Sequence, residues 1–303
     1  MDQYHIPVML KEVFEYLNVR KGSWYIDCTL GGGGHTEEIL KRGGNVLGID
    51  QDPEAISKVA KKYNLQVTNK EDHLQVVSEN LILYQDNFTH LKEIVGMFSK
   101  TEIYGIFFDL GVSSHQFDET NRGFSFSKEA PLDMRMSPEM KVTAADLVNG
   151  LHEKEMAELF LKYGEEPFAK AIAKKIVEER ERKKITTTNQ LSQIISSVKY
   201  RTHNSIHPAT LVFQALRIAV NDELNNLREA LPQAVEVLRP GGRLIAVSFH
   251  SLEDRIVKNF FKYEQQKSSI TILTHKPLVP TEEEINQNPR ARSSKLRAAE
   301  KNS

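Results

Sequence analysis

Cysteine occurs once in the 303 residues, at position 28, so the chain can form no internal disulfide and suits a reducing compartment. No apolar run approaches the roughly 20 residues of a membrane-spanning helix. The start, MDQYHIPVMLKEVFEYL, has no basic leader followed by an apolar core. A soluble cytoplasmic protein is expected, with no membrane partner. Net charge is equally scarce: 40 Lys and Arg against 41 Asp and Glu leave -1, which excludes bulk coating of nucleic acid but permits a local basic face. No internal repeat or low-complexity tract is visible. What is present, 40% hydrophobic residues, is enough for a packed core in one large domain or two modest ones.

The stretch from Trp24 to Asp52, WYIDCTLGGGGHTEEILKRGGNVLGIDQD, reads as strand, glycine loop, helix, strand, acid. This is a βαβ unit that holds a nucleotide-like ligand at the carboxyl ends of its strands. Glycine lets the backbone approach the ligand, and Asp50, closing the second strand, is placed to accept both hydroxyls of a ribose. The dinucleotide fingerprint fails in both frames: Gly31 and Gly33 are followed by Thr36, and Gly32 and Gly34 by Glu37. No glycine-lysine-serine/threonine element follows, so a P-loop is excluded. A methyl donor without a pyrophosphate, S-adenosylmethionine, fits better. A glycine connector without ligand is disfavoured, because four consecutive glycines are costly to order.

In chain order, positions 9 to 17 carry a helical pattern, and Asp52-Pro53-Glu54 starts a helix with an acid cap, proline at the first helical position and an acid in the first turn. Residues 64–80 are polar and read as a loop or variable excursion. Leu81–Tyr84 is strand three, Phe88–Phe98 a helix, and Ile103–Phe108 an apolar strand that delivers Asp109 at its end. The βα rhythm then stops. A long loop over 111–141 gives way to amphipathic segments at about 144–149, 152–163, 167–181 and 189–198, the last capped by Thr188. The sheet resumes after Pro208 with two helices. Arg239-Pro240-Gly241-Gly242 is a turn feeding a strand over Arg243–Phe249, a helix covers Ser251–Tyr263, and Ile270–Thr274 and Ser294–Ala298 form an antiparallel last pair. The expected fold is α/β and Rossmann-like, as in class I S-adenosylmethionine methyltransferases. Its doubly wound, mostly parallel sheet ends on an antiparallel strand. Residues 1–110 and 209–303 form the cofactor domain, and 111–208 an inserted, mainly helical substrate-recognition domain.

HIPVMLKEV, GGGGHT, GIDQDPEA, DNF at 86–88, FDLGVSSHQFD, RGFSF, PLDMRM, YGEEPFAKAIA, HPATLVFQALRIAVNDEL, SFHSLEDRIVK and NPRARSSKLR stand in this order along the chain. As a set they resemble the bacterial ribosomal RNA small-subunit methyltransferase H family over nearly the whole length. The resemblance implies methyl transfer from S-adenosylmethionine to the exocyclic N4 of a cytidine in the decoding region, the P site, of 16S rRNA. The partner would be that rRNA within the small ribosomal subunit, and the protein a monomer or homodimer. It also implies cofactor contacts at Gly33, Gly34, His35, Asp50, Phe88, Asp109 and Gln116. Gly32, Thr36 and His115 depart from the family's usual residues, and 64–80 is longer than usual.

The sulfonium is already an activated electrophile, so the protein's task is alignment. The N4 lone pair is delocalised into the cytosine ring, and an acceptor on an amine proton would localise it and receive the proton; Asp109 and a backbone carbonyl of Leu110–Ser113 are the candidates. Methylation at C5 would need a cysteine nucleophile, and the single cysteine lies ahead of the glycine loop. A splayed base needs flat groups, for which Phe117, Phe124, Phe126 and Phe249 are available against the plainer reading that each is core. His250 with its following acids is read as half helix cap, half substrate group. Arg122 and Arg135 in the long loop, and Arg290, Arg292 and Arg297 in a strip with Lys295 and Lys301, are expected to meet phosphates. No metal site is expected, since His203 and His207 read as loop residues with no cysteine nearby.

Overall fold

A computed structural model of the chain describes residues 7–70, 73–98, 102–113, 116–117, 121–199 and 206–303. It resolves into two compact units, Met1–Gly111 with Leu224–Ser303, and Val112–Glu223.

The first unit is built on a sheet whose described strands are β1 (Trp24–Asp27), β2 (Asn45–Asp50), β3 (Thr68–Lys70), β4 (His73–Val77), β5 (Leu81–Gln85), β6 (Ile103–Asp109), β7 (Leu238–Ser248), β8 (Ile270–Ile272) and β9 (Lys295–Lys301). Their order is β3-β4-β5-β2-β1-β6-β7-β9-β8. The central five, β5 to β7, run parallel, and β9 is antiparallel to β7, as expected for a Rossmann-like methyltransferase sheet. Side-chain alternation makes these strands buried on both faces: Phe107 joins a cluster with Tyr25, Val46 and Ile245, while Phe108 joins the opposite one with Ile26, Leu47 and Ala246. Helix α1 (Leu10–Leu17) places Val13, Phe14 and Leu17 in the first cluster. Helix α2 (Gly34–Lys41) follows the glycines, and α3 (Pro53–Lys62) starts as the sequence predicts, with the Asp52 carboxylate accepting from the Glu54 backbone N–H at 3.1 Å. After β5 comes α4 (Leu91–Met97).

Two stretches differ from their sequence reading. Residues 64–80 are not a loop: β3 and β4 form an antiparallel hairpin that extends the sheet beyond β5. It was illegible because its side chains are nearly all solvated, with Val76 buried and Thr68, Asn69 and Lys70 exposed, so no apolar period appears. The Arg239-Pro240-Gly241-Gly242 turn lies within a strand rather than before it. Pairing with β6 runs Leu238↔Ile103 and then Arg243↔Gly105, so these four residues bulge out, with Gly241 at φ +73°.

The second unit contains α5 (Ala144–Gly150), α6 (Glu153–Gly164), α7 (Ala169–Arg182), α8 (Thr188–Val198) and α9 (Thr210–Asn221) around Phe124, Met134, Met156, Phe160, Ile172, Leu191 and Leu216. Helix α9, expected with the cofactor domain, falls here because Val212, Phe213, Ala215 and Leu216 all enter this core. The cap of α8 is Thr187, not Thr188: its hydroxyl accepts from the Gln190 N–H, and the Gln190 side chain accepts from the Thr187 N–H. Thr188 is buried instead, donating to the Lys128 carbonyl at 2.9 Å. The chain returns to the first unit through α10 (Glu223–Val237), then α11 (Ser251–Gln266) and α12 (Glu282–Gln287). Among the described residues no helix is long and apolar enough to cross a membrane.

Candidate active site

Parallel pairing sets the ends of β1, β2 and β6 side by side, and each ends on an acid: Asp27, Asp50 and Asp109. Between the first two the chain leaves the sheet through Cys28 and Leu30, whose N–H groups donate to the Phe107 and Ile49 carbonyls. Gly31 then turns with φ +47°, and its N–H donates to Asp50 Oδ2 at 2.8 Å while the Asp52 N–H donates to Asp50 Oδ1 at 2.9 Å. Asp50 thus holds the glycine turn and keeps a lone pair on each oxygen for a ligand. Burial raises its carboxyl to about 7.

The glycines are not equivalent. Gly33 sits at φ +71°, and a Cβ there would stand 2.9 Å from Val59 Cγ2; a Cβ on Gly34 would run into the Pro7 ring. A Cβ on Gly32 would meet nothing within 4 Å, which explains why larger side chains are compatible with that position.

Asp27, which the sequence reading did not single out, is 1% exposed and accepts from the Thr36 hydroxyl at 2.8 Å and the Thr29 N–H at 3.2 Å. It ties the start of α2 to β1, and burial raises it to about 6. The available signal was the pattern itself, an acid ending three neighbouring strands. The Thr29 hydroxyl accepts the Asp109 N–H at 2.7 Å. Asp109 Oδ1 is buried and has no hydrogen-bond partner among the described residues, and Oδ2 lies 3.7 Å from His35 Nδ1. Burial, then the charges of Asp27 and Glu253, hold the Asp109 carboxyl well above the usual range. His35 is 7% exposed, packed 4.4 Å from the Phe107 ring, with Nε2 at 3.3 Å from the Val8 carbonyl. Phe88 follows β5 after an Asn87 cap, and its ring meets Phe108 edge to face at 5.6 Å.

The first unit also holds five of the expected substrate residues. Phe249 is half-buried against the sheet, and its N–H donates to Glu253 at 2.8 Å; His250 caps α11, with Nδ1 accepting the Glu253 N–H. Arg290 and Arg292 are exposed, as meeting a phosphate requires. Arg297 is not: it is 7% exposed and grips Asp254 with Nε at 2.7 Å and Nη2 at 3.3 Å. Lys301 is likewise spent on the Glu236 and Leu238 carbonyls. The strip is therefore basic in sequence but only partly so on the surface, because strand alternation turns Arg297 inward.

In the second unit Gln116 is buried and accepts from the Ser113 N–H at 3.1 Å. Arg122 donates to the Arg135 and Met136 carbonyls, and Arg135 binds Asp133 through two nitrogens and the Pro138 and Met140 carbonyls through the third. Both arginines staple the long loop. Phe124 is core, while Phe126 stacks on His207 with centroids 4.4 Å apart. His115 and His203 lie outside the described residues.

Comparison with known proteins places the chain in a family. A Carboxydothermus hydrogenoformans protein named ribosomal RNA small subunit methyltransferase H is 46% identical over 99% of this chain and 99% of its own. Proteins of the same name from Dehalococcoides mccartyi, at 45% over 98% and 86%, and from Heliobacterium modesticaldum, at 44% over 98% and 98%, are similar. The MraW methylase family matches residues 2–302, and the chain belongs to that family.

Proposed function

We propose that the protein transfers a methyl group from S-adenosylmethionine to N4 of a cytidine in the decoding region of 16S rRNA, in the small ribosomal subunit and in the cytoplasm. The observation that carries this reading is the buried Asp109 oxygen, without a partner among the described residues, beside a glycine turn that Asp50 holds in place. These residues fit the donor: Gly33 and Gly34 let the turn pack against Val59 and Pro7, where a Cβ would clash, and so hold its backbone at the strand ends, Asp50 suits the ribose hydroxyls, and Phe88 offers an apolar edge to the adenine. When bound, the donor supplies a methyl on a positive sulfur. Asp109, ionised beside that positive charge, accepts a hydrogen from the N4 amine, and takes the proton as the nitrogen–methyl bond forms and the sulfur–methyl bond breaks. Cys28 is buried, and burial pushes its thiol well up, so it offers no nucleophile for C5.

The test is transfer of labelled methyl to small subunits, compared with naked RNA and DNA, followed by digestion to nucleosides. Label in N4-methylcytidine is expected. Label in 5-methylcytidine, or in DNA alone, would refute the reading.

Asp50→Ala is expected to weaken donor binding by about 1.5–3 kcal/mol, the range for charge-assisted hydrogen bonds. A carboxyl raised to about 7 is largely protonated at pH 6 and must ionise to accept both hydroxyls, so the parent affinity should rise between pH 6 and 8. The rise should shrink in the variant. Calorimetry measures both, and an affinity matching the parent at every pH would remove Asp50 from the site.

A further inference from the structure

The YGEEPFAKAIA motif has no part in the site above, yet the second unit builds an unusual turn from it. Helix α6 ends at Gly164, where a Cβ would stand 2.5 Å from the Leu211 carbonyl oxygen, and Glu165 follows in the left-handed region at φ +51°. Glu166 is 0% exposed, a position where a carboxylate survives only if it is well paired. One of its oxygens accepts the Phe168 N–H at 2.9 Å and the other holds Lys199 Nζ at 2.7 Å. Pro167 limits the remaining freedom, and Phe168 starts α7. The ring carried on this backbone is not core. It is 49% exposed, with Lys199 Nζ 5.9 Å from its centroid and Lys162 and Lys170 exposed on the neighbouring helix ends.

We propose that Phe168 is a stacking platform for an unpaired RNA base, with the exposed Lys162 and Lys170 meeting the adjoining phosphates; this rests on the reading of RNA as substrate. A half-exposed aromatic ring beside cations is what base stacking uses, and it tolerates any base because every base has a flat face. One buried carboxylate anchors both the backbone that carries the ring and a cation near it, so the platform's position is set before a base arrives. An apolar protein partner would gain nothing from the lysines.

Phe168→Ala should weaken equilibrium binding of small subunits by about 5- to 150-fold, with donor affinity and melting temperature unchanged. Phe168→Leu, which keeps an apolar side chain but no flat face, should behave likewise, and Phe168→Trp should bind at least as well as the parent. A photo-crosslinking p-benzoylphenylalanine at position 168, irradiated with small subunits, should label 16S rRNA. Unchanged binding in the alanine and leucine variants would overturn the proposal, as would label confined to a ribosomal protein. A parent that binds subunits through Phe168 but never methylates them would instead refute the enzymatic reading and leave the platform standing.

Discussion

Asp109→Asn is expected to lower the single-turnover rate of methyl transfer by about 10²- to 10⁴-fold, the span for removing a general base, with small-subunit binding within about twofold of the parent. Asparagine keeps the size and can keep the bond in which the Asp109 N–H meets the Thr29 hydroxyl, since that bond uses the backbone. What it loses is a group that can take a proton. Asp109 suits that role because its Oδ1 has no partner among the described residues, and because burial and the charges of Asp27 and Glu253 make it more basic than an ordinary carboxylate. The parent rate should therefore climb with pH as Asp109 ionises, and the residual rate of the variant should lack that limb. Rapid-quench assays at saturating donor measure both. A loss in rate matched by an equal loss in subunit affinity would make Asp109 a binding residue only.

Arg297→Ala should destabilise the first unit by about 3 kcal/mol, at the low end of the range for breaking a buried ion pair. Asp254, only 13% exposed, would be left with Lys295 Nζ at 3.8 Å as its remaining cation. Arg292→Ala should leave stability unchanged and instead reduce the salt dependence of subunit binding, by about 0.7 to 0.9 in slope for the phosphate no longer neutralised. Denaturant unfolding and binding over a salt series separate the two cases. If Arg297→Ala left stability intact and flattened the salt slope, its pairing with Asp254 would be incidental and the residue would return to the RNA surface.

Much of the scaffold was readable without coordinates. The strands of the parallel core announce themselves as short apolar runs, and three of them deliver acids, because a strand buried on both faces cannot hide polar residues within its length. The Asp52-Pro53-Glu54 helix start needed only local chemistry. The β3–β4 hairpin was invisible for the opposite reason: with one face solvated and few buried side chains, its sequence carries no apolar rhythm, and only pairing with β5 makes it sheet. Helix α9 was legible as a helix, but its allegiance was not, since an amphipathic face does not say which core will receive it.

Sequence alone determined the chemistry available: one glycine turn, acids after β2 and β6, no reactive cysteine, and a motif set that marks the family. Tertiary structure decided which charged groups remain available to a ligand. Arg122, Arg135 and Arg297 look identical in sequence to the exposed Arg292, yet the first two are bound to loop carbonyls and the third to Asp254, while Asp109 keeps a buried oxygen with no bond among the described residues. The reason is that a charge's role depends on what the fold sets within hydrogen-bonding distance and how much water it removes, and both are fixed by residues far away in the chain.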